Sequence, residues 1–226
     1  MSDHLGIRFQ DGDAFPADQS LARWLTVCAM ALNDLLLVNR WLMPRLQEQI
    51  EAASYESVYL GRLAGAHLFE VAKFLEGSDR NVSELQEFIA TLDADPQAAY
   101  EKVKSVGPRS GSEFAQQLER ARNQFFHYSE LLPHAEDHEK LKAAMDAHAE
   151  TTGAIRDEGT AIEGFRASFA DDIAVELSFP EEEVDLKAFV SQVSEHIAAF
   201  LEFAFAALPK YVESLPPEVW EYIEPE

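Results

Sequence analysis

The chain has 226 residues, 47% of them hydrophobic, a size and make-up that suit one or two folded domains and exclude disorder, collagen and a small disulfide-stapled scaffold. Its single cysteine, Cys28, rules out an intrachain disulfide framework and points to a reducing compartment. With 18 Lys+Arg against 41 Asp+Glu the net charge is −23, which repels phosphate backbones and anionic lipid and so argues against nucleic-acid coating, broad DNA binding and membrane-surface binding.

Residues 1–16 carry Asp3, Asp11 and Asp13 and no apolar run, unlike a signal or transit peptide. The most apolar window, Ile197 to Leu208, contains Glu202 and is shorter than the ~20 residues a bilayer span needs. The expectation is a cytoplasmic protein with no membrane partner.

From Ser20 onward, Leu21, Leu25, Cys28, Leu32, Leu35, Leu42, Leu46 and Ile50 recur at steps that hold one helix face. Ser20 or Asp18 is the expected N-cap, and Pro44 predicts a bend or break near Leu42. A second helix, about Ser54 to Glu76, stripes Leu60, Leu63, Ala64, His67, Val71, Phe74 and Leu75. Its Gly61, Ala64, Gly65 and Ala66 leave room for a neighbour to approach closely. Two shorter helices follow at Ser83 to Leu92 and Pro96 to Val106, then a loop from Gly107 to Gly111.

The fifth helix, Ser112 to Leu132, has a seam of Phe114, Leu118, Ala121, Phe125, Tyr128 and Leu132, and a sixth runs from about Ala135 to Thr151. The period then changes. Phe165, Ala167 and Phe169 alternate, as do Ile173, Val175, Leu177 and Phe179, which reads as a β-hairpin inserted at about 160–180. The last long helix, Glu183 to Glu213, stripes Leu186, Val190, Val193, Ile197, Phe200, Ala204, Leu208 and Tyr211. No repeat or Ser/Gly linker divides the chain. The expected architecture is therefore a single, mainly all-α domain over residues 1–226: an antiparallel helical bundle with a small β-hairpin before its last long helix.

The segment Arg122-Asn123-Gln124-Phe125-Phe126-His127 carries the candidate chemistry. At ~100° per residue, with the apolar seam at 0°, Arg122 falls near 80°, Phe126 near 120°, Asn123 near 180° and His127 near 220°. Arg, Asn, His and one phenylalanine thus share the face turned from the seam. An apolar Phe126 there implies that another helix or a second subunit covers this face. A histidine titrating near neutrality can take a proton from a ribose 2′-hydroxyl or give one to a departing 5′-oxygen, while a guanidinium stabilises charge on the phosphorane-like transition state. Asn123 orients the phosphate or the imidazole, and the scheme requires no metal or other cofactor.

Arg122, Asn123 and His127 match the Arg, polar residue and spaced His that mark the HEPN superfamily (higher eukaryotes and prokaryotes nucleotide-binding), which the chain resembles. The long first helix, and the Tyr59 to Glu70 helix with Arg62 and His67, resemble abortive-infection and toxin-like members. The resemblance implies a HEPN-like helical bundle and a metal-independent endoribonuclease, often a homodimer with two motifs facing each other across a cleft. It also implies an RNA substrate and, in a toxin–antitoxin or phage-defence setting, an antitoxin protein. Ser129 stands where many toxin members have tyrosine, and the acidic charge disfavours a general ribonuclease. The alternative is a non-catalytic HEPN-like module that binds a nucleotide or a protein through the same face.

Simpler roles remain for single residues. Arg122 can pair with Glu119 or Glu130, and with His127 it can merely staple two subunits. Glu130, His134 and His138 are spaced four apart, but Pro133 interrupts their helix and no Glu-x-x-His pair is present, so no metal site is expected. Cys28, on the apolar stripe, reads as an inert buried thiol.

Overall fold

In a computed structural model of the chain, the structure describes residues 6–44, 55–78, 82–126, 142, 143, 145, 155–157, 165–167 and 186–223. The described residues are mainly helical, as the apolar stripes require. In chain order the elements are β1 (Gly6–Phe9), α1 (Asp11–Ala14), α2 (Ser20–Leu37), α3 (Tyr55–Ser78), α4 (Leu85–Ile89) and α5 (Ala94–Lys104). They continue with α6 (Glu113–Phe126), β2 (Ile155–Asp157), β3 (Phe165–Ala167), α7 (Leu186–Glu213) and β4 (Trp220–Ile223).

Two compact units emerge. One comprises Met1–Leu37, Glu70–Arg109 and Glu195–Glu226, and the other Val38–Phe69 and Ser110–Ser194.

Within the first unit, α2 buries Trp24, Leu25, Cys28, Leu32 and Leu35, the stripe expected from its spacing. Burial holds the Cys28 thiol protonated by pushing its pKa well up. Trp24 is the hub of an aromatic cluster, stacked on Phe74 at 5.8 Å and edge-on to Tyr100 and Phe203 at 6.5 and 6.1 Å. A second cluster joins Phe9 to Phe15, and Tyr211 to both Phe15 and Phe88. The start of α2 differs from expectation. The first backbone bond runs from Arg23 N to Gln19 O, and the Ser20 hydroxyl donates instead to Glu84 Oε2 at 2.7 Å.

Strand β1 pairs antiparallel with β4, with Gly6 opposite Ile223 and Phe9 opposite Trp220. The alternation expected elsewhere gave no hint of this pairing. Pro209 lies inside α7, where the Phe205 carbonyl lacks its usual donor, yet the helix continues to Glu213.

After α2 the backbone widens into a π turn, Val38–Leu42, before returning to α geometry at Met43 and Pro44. Pro44 predicts a bend or break near Leu42; the described chain instead stays helical as far as Pro44, whose missing N–H removes a rung of the ladder just after this widened turn. Ser20–Trp41 spans 22 residues at a mean hydropathy of 1.5, long and apolar enough by length and composition to cross a bilayer. Ser20–Trp41, rather than Ile197–Leu208, is thus the described helix that meets this test.

In the second unit, the small residues of α3 do what their size allows. A Cβ at Gly65 would stand 2.9 Å from Phe189 Cζ and 3.5 Å from Ala121 Cβ and Leu118 Cδ2, so α3 meets both α6 and α7 here. Phe114 and Phe189 add an edge contact at 5.9 Å. The hairpin is β2 paired with β3, Ile155 opposite Ala167 and Asp157 opposite Phe165. Its second strand, Phe165–Ala167, falls on the first predicted one and pairs with an upstream strand; Ile173 to Phe179 fall outside the described residues. So does most of the expected helix from Ala135 to Thr151.

Candidate functional site

Helix α6 is fixed at its start by local chemistry. Gly111 adopts a φ of +63°, a conformation that favours glycine, and turns the chain into Ser112. Ser112 is the N-cap: its Oγ accepts from Ala115 N at 3.2 Å, and its carbonyl from Gln116 N at 3.1 Å. The Gln116 side chain reaches back to Gly111 O at 3.2 Å. From this anchor α6 buries Phe114, Ala115, Gln117, Leu118 and Ala121.

Arg122 and Asn123 follow directly on the last of these. Both are half-buried, although Asn123 lies roughly opposite Leu118 and Ala121 by helical angle. Arg122 Nη1 donates to Asn123 Oδ1 at 2.9 Å. A guanidinium carries donors only, so the amide must turn its oxygen to Arg122, which leaves the Asn123 NH2 as the group presented outward from the pair. A guanidinium and an amide N–H are the kinds of donor that suit a phosphate oxygen. Glu119, the expected rival for Arg122 on this helix, is exposed.

His127 lies outside the described residues, as do Ser129, Glu130, His134, His138 and the side chain of Phe126. The structure thus brings together Arg122 and Asn123 of the three candidate residues. Among the described residues no group of three or more His, Cys, Asp or Glu is placed to hold a metal.

The burial of Arg62 is not evident from the apolar stripe of α3. It is 6% exposed on α3, one turn before Gly65, on the helix that packs against α6 at Leu118 and Ala121. His67 is half-buried on the same helix. The available signal was the run Gly61 to Ala66: small side chains on every side of α3 allow neighbours to enclose it beyond the single apolar stripe.

Comparisons of the chain with protein-family models, with curated proteins and with solved structures find no match.

Proposed function

We propose that this protein is a HEPN-like, metal-independent endoribonuclease that acts as a homodimer on a narrow set of RNAs. The observation that carries the reading is the half-buried Arg122–Asn123 pair, bonded at 2.9 Å, with the histidine that the motif requires four residues further along the sequence. Arg122 binds the scissile phosphate and stabilises its developing charge, and Asn123 orients it. His127 removes the 2′-hydroxyl proton or returns one to the leaving 5′-oxygen. The 2′-oxygen attacks phosphorus as the P–O5′ bond breaks, leaving a 2′,3′-cyclic phosphate and a free 5′-hydroxyl.

The net charge of −23 supports selectivity, because RNA without specific contacts is repelled. A cytoplasmic toxin or phage-defence role fits such restraint, with an antitoxin protein as partner.

The test is incubation of the full chain with total cellular RNA in EDTA, followed by end-group analysis. Expected are discrete products ending in 2′,3′-cyclic phosphate, lost in Arg122→Ala and His127→Ala variants that retain the parent's circular dichroism. Cleavage that persists in both variants rejects the assigned residues. Intact RNA with every preparation, together with saturable nucleotide binding that Arg122→Ala abolishes, replaces the nuclease with the non-catalytic binding module, the reading that the acidic charge and Ser129 favour.

A further inference from the structure

In the first unit, the N-terminal half of α2 and the C-terminal half of α3 leave an open cleft of about 460 Å³ between them. That lies within the range of ~300–1,000 Å³ typical of small-molecule sites. Its inner wall is apolar and internally satisfied. Trp24 stacks on Phe74, the indole N–H donates to Ser78 Oγ at 2.7 Å, and that hydroxyl donates to Phe74 O at 2.6 Å. Nothing in this bonded wall calls for a polar ligand group, while Val27, 41% exposed, extends the apolar surface outward.

The rim differs. Arg8, Lys102, Lys104 and Arg109 of this unit each face a carboxylate, at 3.4, 3.5, 3.2 and 4.0 Å. Among the described residues the two cations at the cleft do not, nor does Lys210, which lies away from it. Arg23 gives Nη1 to the backbone carbonyl of Ala17 at 2.7 Å, and Lys73 has no ion pair among the described residues. In a chain with more than two acids per base, two lysine or arginine side chains on one rim without carboxylate partners among the described residues are an unspent positive field. Glu70, also on the rim, limits it.

We infer that this cleft binds a small organic monoanion, its flat apolar body against Phe74 and Val27 and its charged head between Arg23 and Lys73. Glu70 disfavours a second negative charge on the ligand. Gly77 opens the cleft: a Cβ built there meets nothing within 4 Å.

Isothermal titration of the full chain with 1-naphthalenesulfonate tests the site, with neutral naphthalene-1-methanol and 1,5-naphthalenedisulfonate as comparisons. Saturable one-to-one binding of the monoanion is expected, with the neutral and dianionic analogues each weaker by about tenfold. Arg23→Gln with Lys73→Gln should weaken the monoanion by a similar factor, and Gly77→Phe should abolish binding by filling the cleft. Val27→Asp provides a second block at an exposed position should Gly77→Phe alter the circular dichroism. The inference is overturned by absence of saturable binding to the parent, by equal affinity for the neutral analogue, or by unchanged affinity in folded blocking variants.

Discussion

The indole nitrogen of Trp24 and the hydroxyl of Ser78 are joined by a buried hydrogen bond of 2.7 Å, between residues 54 positions apart on α2 and α3. The same hydroxyl donates in turn to Phe74 O at 2.6 Å, so the indole, the hydroxyl and the carbonyl are all satisfied in a place largely closed to water.

Ser78→Ala leaves the indole N–H buried without its acceptor. The variant is expected to lose about 1–3 kcal/mol of stability, measured as a lower urea midpoint at unchanged slope. An unchanged midpoint would mean that water replaces the hydroxyl at no cost.

Gly65→Val places a branched side chain where even a Cβ would meet Phe189 Cζ at 2.9 Å. Overpacking of this kind costs about 1–3 kcal/mol, and the α6 contacts at Leu118 and Ala121 leave little room to yield. Phe189→Leu should restore part of the loss in the double variant; strictly additive losses would show that the ring is not the obstacle.

The Ser20 hydroxyl, as the foremost cause, holds the Glu84 carboxyl below its usual pKa. Lowering in the folded state favours the charged form. Its contribution to stability is present above the unfolded value of about 4.3 and is lost as pH falls through the folded value. In Ser20→Ala the Glu84 pKa should rise toward that of a free glutamate when followed by NMR titration; a value already ordinary in the parent contradicts the bond.

Tyr211 Oη is buried without a hydrogen-bond partner among the described residues, and burial raises its pKa. Tyr211→Phe removes that polar cost and should stabilise the protein by about 1 kcal/mol near neutral pH. Because the folded pKa is raised, the parent keeps this tyrosine's share of stability below about pH 10 and loses it as pH rises through the folded value. The variant should lack that alkaline loss, and denaturation at both pH values checks it. A destabilised Tyr211→Phe would reveal a partner for the hydroxyl.

Elements with long apolar periods were legible in the sequence. The stripes Leu25–Cys28–Leu32–Leu35 and Val190–Val193–Ile197–Phe200 locate α2 and α7 because burial of one face is what makes those helices stable. Pro44 marks the right place for an irregularity but not its form, a π turn rather than a break, and the small side chains around Gly65 mark a close approach. Features made by distant residues were not legible. Pairing of β1 with β4 depends on two four-residue strands too short to show a period, and the cleft needs Arg23 and Lys73 to converge from separate helices. At the candidate site, periodicity put Arg122 and Asn123 away from the apolar seam, but no helical angle could reveal that both are half-buried and bonded to each other.

The β1–β4 ladder also orders events during synthesis. Arg8 and Glu221, partners across it, are separated by 213 positions, so β1 leaves the ribosome long before its mate has been translated. Closing so long a loop adds only logarithmically to the entropic penalty, yet the contact cannot exist until Trp220–Ile223 has been translated. The nascent chain therefore carries Ile7 and Phe9 on an unzipped strand until β4 has emerged, the interval in which a chaperone would find them.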